Sequence, residues 1–275
     1  MIYIYDNCGN QPITDLKKRD FRNLVLWLSE EKGMSSARCN RLMACCRSML
    51  TYVEEDDEYD YDNNVAIKVK GLPKEPVRDI VFLPDDVIMK LYNYLMEHER
   101  YRDATLLALG YESAGRKNEL AQVEKSCILE GKDSTNIVIG KRGKKFPLVF
   151  FDLTKEAAKK YLEQRGDDGL EALFVTADGR PAGAENLYDW FVNLRPIIQS
   201  ITGEECNANV HSLRHSALEN MNQGTHHTCV VKGIGAIPIE KLKIYAHHSD
   251  ISTTSRYLLP KDDKELEDLF SISIG

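Results

Sequence analysis

The chain has no stretch approaching the roughly 18 apolar residues that a membrane-crossing helix requires. Its opening, MIYIYDNCGN, lacks the positive start, apolar run and small-residue cleavage site of a secretory signal. Together these absences predict a cytoplasmic protein with no membrane partner. Cysteine is present but unorganised: there are 7, an odd number, two are adjacent (Cys45, Cys46), and none forms a C-x-x-C pair. This argues against a disulfide framework or a zinc site and for reduced thiols in cores. There is no Walker loop and no carboxylate cluster suited to magnesium. The pairs His226-His227 and His247-His248 are poor chelators, because adjacent side chains point apart. No metal and no cofactor are therefore expected. A basic excess is also missing: 36 Lys and Arg stand against 43 Asp and Glu, a net charge of −7.

That average conceals a patch. Residues 54–62, EEDDEYDYD, hold seven acids in nine positions, and read as a solvated loop or tip. Over residues 1–80 the chain has 12 Lys and Arg against 14 acids; without the run the balance is 12 against 7. The remainder of this part can present a basic face, and local field matters more than total charge.

With 275 residues and 43% hydrophobic content, the chain has enough apolar material for two modest domains. Residues 1–12 read as a short strand or arm. Thr14 can cap a helix to about Glu31, with Phe21, Leu24, Val25 and Leu28 on one side, and Gly33 stops it. A second helix runs from Ser35 or Ser36 to about Val53, with Leu42, Cys46, Met49, Leu50 and Val53 apolar. Residues 1–62 thus form a small all-α domain, truncated in its helix count. Residues 63–82, with Gly71, Pro73 and Pro76, read as a linker. Residues 83–275 form the second domain. It has helices near 85–99, 101–111, 116–123, 154–165, 184–200, 211–223 and 261–270. A hairpin is expected over 135–151, TNIVIGKRGKKFPLVFF. The fold class is mainly α with a small β-sheet.

Polar residues of the second domain stand in a definite order. Arg116 lies in SAGRKNEL, Lys141 leads the hairpin turn GKRGKK, and His211, Arg214 and His215 lie in HSLRHS. His248 and Tyr257 lie in AHHSDISTTSRY, nine residues apart. Singly, each has a structural explanation: a salt bridge, a packed histidine, a solvated turn. Together these four boxes resemble the tyrosine recombinases of the phage-integrase type. That family's boxes read roughly T-G-L-R-x-S-E-L, G-K-G-x-K-x-R-x-V-P-L, H-x-L-R-H and L-G-H-S-x-x-x-T-T-x-x-Y. The resemblance covers about residues 80–275; over residues 13–53 it is architectural, to a helical core-binding domain. Departures are Ala114-Gly115 for Gly-Leu, Ala246-His247 for Leu-Gly, and a long interval of 37 residues from His211 to His248. Against that resemblance, neither the arm-binding domain that the family often carries nor the first core-binding helix is expected within these residues.

The resemblance implies Tyr257 as a nucleophile on a phosphodiester, leaving a 3′-phosphotyrosyl bond and a free 5′-hydroxyl. The residue types suit that chemistry. Arg116 and Arg214 offer planar, permanently charged forks for non-bridging oxygens. Lys141, on a turn, is the expected general acid toward the 5′-oxygen. The resemblance gives His211 an acid/base role toward Tyr257 and His248 a hydrogen bond to the phosphate. Glu119 and His215 are expected to support the site. Since the ester bond is conserved in a covalent intermediate, no nucleotide is consumed.

Double-stranded DNA is the expected partner. Lys17, Lys18, Arg22, Arg38 and Arg41 in the first domain, and Arg142, Lys144 and Lys145 in the second, are candidate phosphate contacts, with salt-sensitive affinity. The C-terminal segment carries Leu266, Leu269, Phe270 and Ile272 as an apolar stripe; the resemblance implies docking into a neighbouring protomer of a homo-tetramer on paired sites, with a monomer in the absence of DNA. Accessory DNA-bending or directionality factors belong to the same expectation, as does association with the bacterial nucleoid. The leading reading is a site-specific recombinase or integrase of a prophage or mobile element. Type IB topoisomerase-like relaxation and a catalytically silent DNA-binding regulator stay open as alternatives.

Overall fold

The computed structural model describes residues 2–73, 81–248 and 251–255. Tyr257, the expected helix 261–270 and part of the expected linker (74–80) lie outside the described residues. The chain divides into two compact units, residues 1–79 and 80–275. Among the described residues it is mainly α, with one two-stranded antiparallel sheet.

In the first unit, residues expected as an arm form α1, Ile2–Asn7. The alternating IYIY pattern mimics a strand, but Tyr3 is buried, packs its ring at a tilt against Trp27 and donates its hydroxyl to the Asp20 carbonyl. Tertiary packing overrides local pattern here. Thr14 lies in a separate 3-10 turn, Ile13–Asp15, and caps nothing. Helix α2, Lys18–Leu26, opens instead where Asp20 Oδ2 accepts the Lys17 N–H at 2.8 Å. It continues as one π-helical turn, Trp27–Glu31, and Gly33 follows at φ +58°.

Helix α3, Ser36–Glu55, buries Cys39, Met43 and Leu50. The expected stripe is thus displaced: Leu42 and Met49 are exposed. Residues 63–73, expected as linker, fold back onto this unit. Ala66 and Val69 join the core with Phe21, Val25, Met43 and Leu50. Arg47 of α3 donates from Nε to the Ala66 carbonyl (3.2 Å) and from Nη2 to the Val69 carbonyl (2.8 Å).

The second unit is organised around α5, Tyr101–Ser113, which is buried continuously from Asp103 to Ser113. A helix apolar nearly all round must be enclosed by others. Its neighbours are α4 (Asp85–Glu97), α8 (Asp152–Arg165), α9 (Ala184–Val192) and α11 (Val210–Gln223). Gly110 sets the approach of α11, since a Cβ there would lie 2.7 Å from Leu213 Cδ1. At the far end of α5, buried Glu112 accepts the backbone N–H groups of Phe151, Leu153 and Thr154 at 2.9, 3.2 and 3.1 Å. One carboxylate therefore caps α8 and fixes it to α5.

The helix expected over 116–123 is shortened to a single turn, α6 (Lys117–Leu120), and another single turn, α7 (Ser126–Leu129), follows beyond it. The hairpin pairs β1 (Val138–Ile139) with β2 (Lys145–Phe146), and a further bridge joins Ser134 to Val149. The helix expected over 184–200 is two, α9 and α10 (Arg195–Thr202), with Pro196 in the first turn of α10; proline cannot continue a helix but can open one. The long interval before His248 holds α12 (His227–Lys232) and α13 (Ile239–Tyr245). The loop between them packs against Gly224, and the Ile237 N–H donates to the Met221 carbonyl at 2.9 Å. The last described helix is α14, Ile251–Ser255.

Candidate active site

Helix α6 begins at Arg116, and its local geometry is set by Glu119. The Glu119 carboxylate accepts the Arg116 backbone N–H through Oε2 and the guanidinium Nη1 through Oε1, both at 2.9 Å. Glu119 is almost wholly buried, while Arg116 keeps 27% of its side chain exposed. The guanidinium is thus held at one edge and open at another.

The hairpin reaches the same place. Gln122 holds β1 like a neighbouring strand: its Oε1 accepts the Ile139 N–H at 2.9 Å and its Nε2 donates to the Ile139 carbonyl at 3.1 Å. Gly140 packs tightly, since a Cβ there would lie 2.7 Å from the Phe146 ring and 3.1 Å from Glu119 Oε1. Lys141 follows at the exposed turn. Arg142 takes φ +62°, and Arg142, Lys144 and Lys145 are all exposed.

Helix α11 supplies the next group. Asn209 caps it, and its side chain accepts the His211 N–H at 2.8 Å. This places His211 in the first turn, where its ring meets that of His215 edge-on, with centroids 4.8 Å apart. Arg116, Glu119, Lys141 and His211 line a single cavity of about 460 Å³, joined by Tyr188 and Asn209.

Arg214 is on the buried side of the same helix turn and is 1% exposed. Its Nη1 donates to the Ala114 carbonyl and its Nη2 to the Ala246 carbonyl at 2.7 Å. Nη2 also lies 2.6 Å from His248 Nε2. Because guanidinium only donates, Nε2 must accept. His248 is 7% exposed, and its Nδ1 lies 2.9 Å from Thr254 Oγ1. The expectation that His248 bonds a phosphate meets this difference: its Nε2 already serves Arg214. Arg214 and His248 are not on the cavity wall.

The field around the two guanidiniums is positive. Loss of water pushes His248 down to about 3, reinforced by Arg214 and Arg116. Loss of water, then His215, Arg214 and Arg116, takes His211 down to about 4, although its ring edge stays exposed at the cavity. Both rings are neutral at physiological pH. A neutral His211 can accept a proton, and an arriving anion would raise its basicity. Such a site can bind an oxyanion, stabilise growing negative charge and move a proton.

Of the other expected residues, Lys17, Lys18, Arg22, Arg38 and Arg41 are exposed on the first unit. Tyr257 lies outside the described residues. Among the described residues no group of three or more His, Cys, Asp or Glu is placed to hold a metal, and no helix is long and apolar enough to cross a membrane. Sequence reasoning missed Asn209, Gln122 and Thr254. Asn209 carried a signal, an Asn just before an apolar-periodic run; the other two act through tertiary contacts.

Residues 81–264 match the Phage integrase family. The SPbeta prophage-derived recombinase-like protein YomM of Bacillus subtilis (strain 168) is 25% identical over 280 residues, spanning 96% of this chain and 79% of its own length. Tyrosine recombinase XerC of Treponema denticola is 25% identical over 271 residues, spanning 89% and 80%. Among solved structures, the Tn1549 transposon integrase in complex with a circular intermediate DNA aligns with a TM-score of 0.70 at 16% identity, covering 98% of this chain and 90% of that one. A lambda integrase dimer bound to a COC′ core site aligns at 0.65 and 16%, covering 94% and 86%. At that identity the structural likeness is one of fold. The family match spans most of the chain and coincides with the unit that carries the cavity, so the chain belongs to the phage integrase family of tyrosine recombinases.

Proposed function

We propose that this protein cleaves and rejoins duplex DNA at specific sites through a 3′-phosphotyrosyl bond on Tyr257, for integration or excision of a prophage or mobile element. The observation that carries the reading is the single cavity shared by Arg116, Lys141 and His211, backed by buried Arg214. The Tyr257 oxygen attacks phosphorus as His211 takes the phenolic proton. Arg116 holds the non-bridging oxygens as negative charge spreads over them, and Arg214, buried off the cavity wall, adds its positive charge to the same field. The P–O5′ bond breaks, and Lys141 gives its proton to the leaving oxygen. A 5′-hydroxyl from another strand then reverses these steps and frees the tyrosine. Bond energy is kept in the ester, so the exchange needs no nucleotide.

Exposed basic residues in each unit supply phosphate contacts: Lys17, Lys18, Arg22, Arg38 and Arg41 in the first, and Arg142, Lys144 and Lys145 in the second. The printed names of the prophage-derived relative and of the DNA-bound integrases support a DNA substrate. Four protomers on paired sites would complete two strand exchanges.

The test is incubation with a library of nicked duplexes, followed by sequencing of protein-linked DNA. Wild type yields a covalent adduct. Tyr257→Phe binds DNA with nearly unchanged affinity and yields none; an adduct persisting in that variant overturns the assignment. A single-site supercoiled plasmid separates recombination from relaxation: rapid relaxation without partner exchange would favour the topoisomerase-like reaction.

A further inference from the structure

We infer that Thr254 is a positioning residue of this site: its hydroxyl holds the His248 ring by Nδ1, and so keeps Nε2 in place as an acceptor for Arg214. The inference rests on the strand-cleavage reading above for its consequence, but its geometry stands on buried contacts alone.

Every nitrogen of an arginine side chain is a donor. Arg214 Nη2 lies 2.6 Å from His248 Nε2, so that nitrogen presents a lone pair. A neutral imidazole then carries its proton on Nδ1. Nδ1 lies 2.9 Å from Thr254 Oγ1, so the hydroxyl oxygen accepts. His248 and Thr254 are 7% and 0% exposed, and water does not compete for either bond. The opposite tautomer would set two N–H groups against each other at the short contact and cost a buried hydrogen bond.

The consequence falls on Arg214. Its fork is fixed by three acceptors: the Ala114 carbonyl, the Ala246 carbonyl and His248 Nε2. The first two belong to the backbone and cannot change their role. The third is an acceptor only while Nδ1 keeps the proton, and Thr254 gives that proton its buried partner and the ring its orientation. Thr254 also sits on α14, three residues ahead of Tyr257 in the chain. The same hydroxyl therefore ties the segment leading to the tyrosine to the buried guanidinium. A residue holding a histidine by its far nitrogen commonly decides what the near nitrogen can do.

Two variants and two readouts test this. Thr254→Val keeps the shape and removes the acceptor; Thr254→Ser keeps the hydroxyl. In 15N-histidine-labelled protein without DNA, wild-type His248 should show a protonated Nδ1 and an unprotonated Nε2. Thr254→Val should keep that tautomer, which Arg214 requires, but shift the Nδ1 resonance as its proton loses the hydroxyl acceptor. Single-turnover adduct formation should fall about 10- to 100-fold in Thr254→Val while DNA affinity stays within about twofold. Thr254→Ser should return the wild-type Nδ1 resonance and come within about threefold of the wild-type rate. A wild-type Nε2–H tautomer overturns the inference, as does a wild-type cleavage rate in Thr254→Val. A serine variant as slow as the valine one does the same, because the hydroxyl would then not be what matters. Failure of wild type to form any adduct overturns the recombinase reading instead, and the nitrogen shifts then decide the hydroxyl's hold on His248 without it.

Discussion

Glu119 holds Arg116 at both ends, accepting the backbone N–H with one oxygen and the guanidinium with the other, each at 2.9 Å. Helix start and guanidinium position are thereby one interaction. Arg116→Ala should slow adduct formation by about 100- to 1,000-fold, the usual cost of losing one donor to a developing oxyanion. DNA affinity should fall by less than about tenfold, since many phosphate contacts share that energy. Comparing single-turnover rates with equilibrium titrations checks this. Equal losses in the two would contradict a role in the transition state.

The hairpin that carries Lys141 depends on Gln122, whose amide pairs with both backbone groups of Ile139. Gln122→Leu removes that pairing while leaving the half-buried side chain's bulk. Adduct formation should drop by about 3- to 10-fold, because a general acid on a looser turn spends less time in reach. Hydrogen exchange at the Ile139 amide should speed up in parallel. Unchanged exchange in a slowed variant would assign the loss to something other than the hairpin.

Acid should weaken the fold through His226. This ring is fully buried, stacks on Tyr111 and accepts the Thr228 N–H on Nδ1 at 3.1 Å. Burial pushes it down to about 4. The unfolded chain therefore binds a proton more readily than the folded one between about pH 6.5 and pH 4. Stability from this group is complete above the upper limit and is lost as pH falls through the window, by about 2 kcal/mol at pH 5. His226→Asn keeps an acceptor for Thr228 and removes the titration. Urea midpoints should then differ less between neutral and acid conditions than in wild type; an unchanged difference would place the acid sensitivity elsewhere.

The motif residues were legible in the sequence because the chemistry fixes their types and helix geometry fixes their spacing. HSLRH puts His211 and Arg214 on successive faces of one turn of α11. What the sequence hid is how the backbone serves them. Ala114 and His247 take φ +49° and +53°, left-handed values that favour glycine. They are the two positions where the family boxes carry glycine. Ala114 at that turn, and Ala246 just ahead of the second, offer the carbonyls that hold Arg214. Departures that looked like lost family features are thus the same turns built from other residues. His247 stacks its ring on Phe146, with centroids 3.8 Å apart, which offsets part of the strain. Helix α3 was misread for a different reason. Its apolar residues fall on two sides, and only contact with Phe21 and Val25 selects the side of Met43 and Leu50 for burial.

Arg47 illustrates the same limit and gives the last prediction. In sequence it looked like one more basic residue of α3, alongside Arg38 and Arg41. In the structure its fork closes on the carbonyls of Ala66 and Val69 and holds residues 63–73 against the first unit. Asn64 works beside it, donating to the Arg47 carbonyl and to Thr51 Oγ1, both at 3.0 Å. Arg47→Ala should destabilise the first unit by about 1–3 kcal/mol, since two partly buried carbonyls lose a charged donor. Arg47→Lys should recover little of it, because a single ammonium cannot span both oxygens as the fork does. Unfolding of the full-length chain, followed by Trp27 fluorescence, measures the loss. Full rescue by lysine would mean that charge alone, and not the fork, holds these carbonyls.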